Sequence, residues 1–272
     1  MRQVFTIAIL WFMGVSISYG QIPDSTLYRT NKIKEIRSRV HMVGFTHETD
    51  TCLFSIKKIN EYGQPTYVLT DYNCQGWNVK NELRYQYNEN NHLIGMETLQ
   101  NDVLMNKVEM EVDSFGRVTR ERNTIYDPFM VVEITNEYYG NDKLADSMKT
   151  TNIAKEDTTH TLTRYTYINN KLKSSETIDI DKSRPVNSLK NKYDEKGRLV
   201  REEFIYFLGY DNDNITKLQY NDKDQVIRTQ SELDKIAAQF YYDKTGLLKL
   251  THYFNKFESL EREMWHEYTF YE

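Results

Sequence analysis

The side chains that most often carry chemistry are few and scattered in this sequence. Two cysteines, Cys52 and Cys74, lie nearly symmetrically about Gly63, so a hairpin at Gly63 would bring them close together. In an exported protein such a pair favours a disulfide, whereas Cβ atoms on opposite faces would prevent one and leave two buried thiols. Neither alternative implies catalysis, because the sequence contains no Cys-x-x-Cys motif.

The histidines and acids form no recognisable centre either. His252 and His266 flank the turn near Asn255, but a zinc site usually needs three or four ligands. The segment Asp-Asn-Asp-Asn at 211–214 lacks the spaced ligands and terminal Glu of an EF-hand. No Gly-rich phosphate loop or nucleophile elbow occurs. We therefore predict no catalytic residue, no metal and no cofactor.

Aromatic rings offer another kind of chemistry, because exposed rings stack on sugars or accept partner side chains. They crowd the C-terminal third of the chain. The candidates for an aromatic binding surface are Tyr253, Trp265, Tyr268 and Phe270. The alternative is that these rings only cover a thin sheet and cap its last strand.

A repeated element must position these side chains. An apolar residue or Tyr is followed by Asp or Asn, then by Gly, Asn or Asp three positions later, then by an aliphatic residue two positions further on. These anchors recur about every 26 residues. The clear copies begin at Tyr87, Val112, Tyr193, Tyr220 and Tyr242, and looser copies begin at Ile59, Tyr138 or Tyr139, and Tyr167.

The residue types of this element are those of a three-residue hairpin loop. Asp or Asn at the entry can bond the backbone two residues on, and Gly adopts the required positive φ freely. We therefore expect Tyr193 to lie opposite Leu199, and Asn169-Asn170 to form a two-residue type I′ turn. The repeat turn residues are Asp113, Gly116, Asp194, Gly197, Asn221, Asp243 and Gly246.

The segments between turns alternate with a period of two, which is typical of half-buried strands. Val108, Met110 and Val112, for example, alternate with charged residues. The predicted fold is all-β: an antiparallel meander of repeated β-hairpins, with roughly sixteen to eighteen strands, forming a curled or spiralling sheet. Charged residues eight positions after an anchor should lie on the same face of the sheet as that anchor. They could form a charged stripe that binds a charged partner, or a ladder of ion pairs between strands. They include Arg120, Arg201 and Arg228.

The segment Tyr-Asp-Glu-Lys-Gly-Arg-Leu at 193–199 closely resembles the YD-repeat, or Rhs-type, consensus, and the other copies resemble it more loosely. The resemblance covers roughly residues 50–272. It implies a curling β-sheet of an extracellular protein, which encases a toxin or forms an adhesive, carbohydrate-binding surface. The chain is short for a toxin-encasing shell and shows no appended effector. We therefore expect the scaffold to carry over, without the toxin function and without catalytic residues.

The N-terminal residues have the layout of a secretory signal. Arg2 precedes an apolar run at 4–15, and small residues at 18 and 20 precede a cleavage site before Gln21. We expect a signal peptide at 1–20, an N-terminal segment at 21–49 leading into the first strands, and the repeat domain at 50–272. The rest of the chain has no second apolar run, so we expect no transmembrane segment in the mature protein and residence in the periplasm, at the cell surface or outside the cell.

Composition narrows the function classes. The formal net charge is −5 and no basic cluster occurs, which argues against a nucleic-acid partner. The leading hypothesis is a non-enzymatic surface that binds a glycan or an envelope protein. The alternative is a structural or assembly component that pairs through an exposed edge strand. A third interpretation is an enzyme with an unrecognised site, and a fourth is an outer-membrane barrel, for which the strands lack a continuous lipid-facing apolar row.

Overall fold

The computed structural model describes residues 25–43, 51–76, 78–140, 144–155, 157–207, 214–233 and 235–272. The predicted signal peptide lies outside these residues. The described part contains a short helix, α1 (Ser25–Thr30), a 3₁₀ turn (Tyr72–Gln75) and eighteen strands. The strands are β1 (Ile33–Met42), β2 (Cys52–Ile59), β3 (Pro65–Asp71), β4 (Lys80–Tyr87), β5 (Leu93–Gln100), β6 (Val103–Val112), β7 (Val118–Tyr126), β8 (Phe129–Tyr139), β9 (Ser147–Ala154), β10 (Asp157–Ile168), β11 (Lys171–Asp179), β12 (Arg184–Tyr193), β13 (Leu199–Tyr206), β14 (Asn214–Tyr220), β15 (Val226–Ser231), β16 (Ala237–Tyr242), β17 (Leu248–Phe254) and β18 (Leu260–Phe270). Neither helical segment in these ranges is long and apolar enough to cross a bilayer.

The strands form one antiparallel meander that closes on itself. Each strand pairs with the next in the chain, and β18 also pairs with β1, where Ile36 lies opposite Tyr268 and Val40 opposite Met264. The predicted hairpin meander is therefore confirmed, but the predicted curled or spiralling sheet is wrong, because the sheet closes into a barrel. Closure satisfies the backbone groups that two free edges would expose. Among the described strands, each one therefore has a hydrogen-bonded neighbour on both sides.

Seven hairpin loops in the described residues share one anatomy, shown by Asp113. Its N–H donates to the carbonyl of Arg117, and its Oδ1 accepts from the N–H groups of Phe115 and Arg117. The loops begin at Asn60, Asn88, Asp113, Asp194, Asn221, Asp243 and Asn255. The third loop residue has positive φ in each: Gly63, Asn91, Gly116, Gly197, Asp224, Gly246 and Glu258. Tyr193 lies opposite Leu199, and Asn169 and Asn170 both have positive φ, as a type I′ turn requires.

The repeated tyrosines near the ends of the strands have a structural role within the barrel. Each of these tyrosines donates its hydroxyl to a backbone carbonyl at or near the start of the preceding strand, so each ring joins one hairpin to the hairpin before it. The distances lie between 2.6 and 3.0 Å. The bonds are Tyr87 to Pro65, Tyr138 to Val118, Tyr167 to Ala145, Tyr193 to Leu172, Tyr220 to Leu199, Tyr242 to Val226 and Tyr268 to Leu248.

The arginine that follows Gly in the repeat links consecutive hairpins in the opposite direction. The Nε of Arg198 donates to Oδ2 of Asp194 at 2.7 Å, and the guanidinium lies 4.8 Å from the ring centroid of Tyr220. Arg117 makes the same pair of contacts with Asp113 and Tyr138. The backbone N–H of Arg198 is the first cause of a lowered pKa at Asp194, which keeps this loop carboxylate ionised.

We expect Tyr220→Phe to destabilise the barrel by about 1 kcal/mol, because the hydrogen bond to the Leu199 carbonyl is lost. In a chain of this size the thermal midpoint should fall by roughly 2 to 4 °C. Tyr126→Phe is the matched control, since Tyr126 is 41% exposed. Equal midpoints for the two variants would show that the repeated hydroxyl bond contributes nothing to stability.

Candidate functional site

The closed barrel has two chemically different faces. Residues that lie opposite one another in neighbouring strands share a face, so the register carries one face from Ile36 through Lys57, Val68 and Leu83 to Thr98. This is the more buried face: Ile36 is only 6% exposed. Because curvature crowds the concave side of a closed sheet, we assign it as the inner face. The helix α1 covers it at one end through Tyr28, which packs on Ile36 and Tyr268.

The outer face is a ladder of ion pairs. They include Arg39 with Glu267, Lys107 with Glu109, Arg120 with Glu133, Arg201 with Glu203 and Lys217 with Glu232. Most of these side chains are well exposed, so each pair contributes little to stability. The expectation that Arg120 and Arg201 share a face with their anchors is wrong. Each loop contains a register shift, for example between Lys192 and Tyr193, and the shift turns the outgoing strand over by one residue.

The inner face carries ionisable side chains without ion-pair partners. Lys57 in β2, Glu121 in β7 and Glu202 in β13 form no ion pair within the described residues. Burial alone lowers the pKa of Lys57 and raises the pKa of Glu121 and of Glu202. A buried charge without a partner costs stability, so such groups are more typical of binding sites than of scaffolds.

A second inner-face group, which we call the amide band, consists of Thr98, Asn106, Asn123 and Asn152. Thr98 lies directly opposite Asn106, and Asn123 is diagonal to Asn106 on the next strand. Asn152 lies in the same row as Glu121, with Ile134 between them. Within the described residues, each member has a buried polar atom without a hydrogen-bond partner, and Asn106 lacks a partner at both Oδ1 and Nδ2.

His266 lies at the centre of a buried polar cluster near the closure of the barrel. Its Nδ1 lies 2.9 Å from the Ser38 hydroxyl, and its Nε2 lies 3.2 Å from the Thr251 hydroxyl. Burial, with the nearby Lys57 charge as a second cause, lowers the pKa of His266 to about 4. The ring is therefore neutral near pH 7 and takes part in hydrogen bonds on both sides. Ser38 and Thr251 are 5% and 1% exposed, so this arrangement serves packing rather than nucleophilic attack.

The four aromatic residues predicted to form a binding surface do not share one face. Tyr253 and Tyr268 lie on the inner face, where Arg262 lies 4.2 Å from the Tyr253 ring and Tyr268 bonds the Leu248 carbonyl. Trp265 lies on the outer face opposite Arg39. Phe270 lies at the end of β18 and is 49% exposed. A glycan platform built from all four rings together does not exist in this barrel.

The predicted cysteine and histidine pairs have different outcomes. Cys52 takes part in a disulfide, but the side chain of Cys74 lies outside the described residues, so their pairing stays a prediction. His252 lies on the outer face, with Nε2 2.9 Å from Oε1 of Glu263, whereas His266 lies on the inner face. These two histidines therefore cannot share a ligand. Across the described ranges, no three potential metal ligands come together.

Comparison with known proteins identifies no sequence family. No family model matches the chain, and no curated protein matches it. Among solved structures, a porin-like protein from Bacteroides uniformis is similar at 10% identity and a TM-score of 0.47, covering 87% of this chain and 98% of that chain. The Photorhabdus luminescens Tc holotoxin pore and the TcdB2-TccC3 structure are similar at 9% identity and TM-scores of 0.33, covering 78% of this chain and 16% of those chains. What these likenesses share is a β-rich fold, and membership of the YD-repeat family stays a prediction.

Sequence reasoning missed the amide band, although a signal for it exists. Asn106 has the same strand parity as Leu104, Val108 and Met110, so it is a polar residue at an apolar position of β6. A polar residue in that phase should be buried and needs a partner. Only the register between strands shows that Thr98, Asn123 and Asn152 lie on the same face of the sheet as Asn106.

Proposed function

We propose that this chain is an exported, non-enzymatic binding protein of the cell envelope or extracellular space, and that it holds a glycan or protein partner on the inner face of its barrel. The YD-repeat resemblance and the N-terminal signal pattern support export and a binding role. The supporting observation for the inner face is the contrast between its unpaired Lys57, Glu121 and Glu202 and the paired ions outside.

The contrast favours binding at the inner face, because charged groups there lack ion-pair partners within the described residues, whereas those on the outer face are paired. An outer-face pair such as Lys107 and Glu109 already satisfies both charges at 2.8 Å. An inner-face group such as Glu121 has lost water without gaining an ion-pair partner within the described residues. A ligand that supplies hydrogen bonds gains more from the second surface than from the first.

The test compares inner-face and outer-face variants for binding to a printed glycan array and to envelope extracts. Glu121→Gln and Glu202→Gln keep the side-chain shape and remove the ionisable group, and Lys107→Gln is the outer control. We expect the two inner variants together to weaken binding by about tenfold, as loss of one or two hydrogen bonds to charged groups would. The control should bind normally. Thermal midpoints should not fall in the inner variants, since a buried unpaired carboxylate is removed.

Trp265→Ala adds a second arm to this experiment. Trp265 lies on the outer face, so the proposal requires normal binding by this variant. Loss of binding in Trp265→Ala, together with normal binding by both inner variants, would place the ligand outside the barrel and refute the proposal.

A further inference from the structure

The amide band lies within an apolar patch of the inner face. Met130, Val132 and Ile134 are 7%, 1% and 5% exposed and form a cluster with Ile125 and Ala154. The register places this cluster among the band's own residues: Ile125 lies opposite Asn106, and Val132 opposite Asn123. A mostly apolar wall with a few polar groups is the usual composition of a small-molecule site.

We propose that the amide band, with Glu121 beside it, is a binding site for a neutral oligosaccharide. The central observation is Asn106, which is 4% exposed and has no partner in the described part of the chain for either its amide oxygen or its amide nitrogen. Unsatisfied buried side-chain atoms are uncommon in native proteins and cost free energy unless a partner meets them. Here three adjacent residues, Thr98, Asn106 and Asn123, share this property, and so does Asn152 two strands further on.

The chemistry of the band selects this ligand class. Asn106 presents an unmet acceptor and an unmet donor together, which matches a hydroxyl group, because hydroxyls both donate and accept. Carboxylates and phosphates only accept. The inner face of β5 to β9 carries no Lys or Arg that could hold an anion, and its one acid, Glu121, has its pKa raised by burial.

The length of the band indicates a chain of sugars rather than a single one. Asn106 in β6 and Asn152 in β9 lie three strands apart, about 14 Å across the strands at the usual spacing, and are offset by four residues, about 13 Å, along them. In this conformation the polar atoms without hydrogen-bond partners in the described residues are buried. Binding therefore requires rotation of the amide groups, whose terminal torsions are soft.

The test uses two asparagines of the same face with opposite hydrogen-bond status. Asn136 in β8 donates through Nδ2 to the Val118 carbonyl at 3.0 Å and accepts at Oδ1 from Thr150 at 2.8 Å. Asn106→Leu should raise the thermal midpoint by about 2 °C, because it removes a buried group without partners. Asn136→Leu should lower the midpoint instead. A lower midpoint in Asn106→Leu would show that Asn106 is satisfied structurally and would overturn the inference.

Binding is measured on the full chain with an array of neutral and uronic-acid oligosaccharides, followed by calorimetry with the strongest neutral probe. We expect binding of a neutral oligosaccharide that Asn106→Leu weakens by about tenfold or more. Gln219→Leu, on the outer face, should bind normally. An array without any neutral ligand overturns the inference.

This site rests on the proposed function. The experiments must therefore distinguish failure of the neutral-oligosaccharide site from failure of the proposed function. Binding only of acidic sugars or of an envelope protein, still weakened by Glu121→Gln and Glu202→Gln, refutes the neutral-glycan site and leaves the proposed function standing. Binding that none of the inner-face variants changes refutes both.

Discussion

Gly63→Ala should destabilise the barrel by about 3 kcal/mol or more. Gly63 has a φ of 82°, and a Cβ there would lie 1.9 Å from the carbonyl oxygen of Ser25 and 3.1 Å from the backbone nitrogen of Arg29. All the nearest atoms are backbone atoms of α1, so the helix itself must move. That movement uncovers Tyr28, which is 3% exposed and packs on Ile36 and Ile59.

Gly76→Ala is the matched control, because Gly76 has nearly the same φ, 77°, and no atom of the described residues beyond its chain neighbours lies within 4 Å of the position of a Cβ. It isolates the backbone strain of a left-handed residue, about 1 kcal/mol. Urea denaturation of both variants, with hydrogen exchange of the α1 amides, measures the difference. Equal losses of stability, or unchanged protection of α1 in Gly63→Ala, would show that the helix does not depend on its contact with this loop.

The local part of the fold could be predicted from the sequence because its causes are local. The loop that begins at Asp194 needs an Asx side chain at its entry and positive φ at Gly197, and both requirements are visible in seven residues. The hairpins and their approximate number follow from repetition of that pattern. The tyrosine-to-carbonyl bonds between hairpins were not predicted, since they join residues about 20 positions apart.

The closure of the barrel, and the face of the sheet on which each side chain lies, could not be predicted from the sequence, because both depend on residues far apart in the chain. The pairing of Ile36 with Tyr268 joins the two ends of the sheet, and no residue pattern in either strand indicates it. The facing of Arg201 depends on a one-residue shift at its loop, which period-two counting does not detect. The candidate site could not be predicted for the same reason, because its residues come from several strands. That Asn106, Asn123 and Asn152 lie on one face of the strands β6 to β9 is seen only when three strand registers are known.

Lowering the pH from about 7 to 4 should weaken the wild-type protein through His266. The ordinary histidine pKa is 6.5, and burial lowers that of folded His266 to about 4. Between pH 6.5 and 4 the unfolded chain therefore binds a proton at His266 and the folded barrel does not. The free energy of unfolding falls as the pH falls through this range. The full effect of such a shift is about 3 kcal/mol, or roughly 6 to 12 °C in the thermal midpoint.

Other groups titrate in the same window, so the measurement must be a difference between variants. The raised pKa values of Glu121 and Glu202 act with the opposite sign, because the folded state then binds protons before the unfolded state does. His266→Gln removes only the histidine contribution and keeps a neutral polar group between Ser38 and Thr251. Thermal midpoints of both proteins between pH 7 and 4 should converge as the pH falls, since only wild type loses the His266 contribution. Parallel curves would mean that His266 is protonated as easily in the barrel as in the unfolded chain, and that the buried cluster at the β18–β1 closure is open to water.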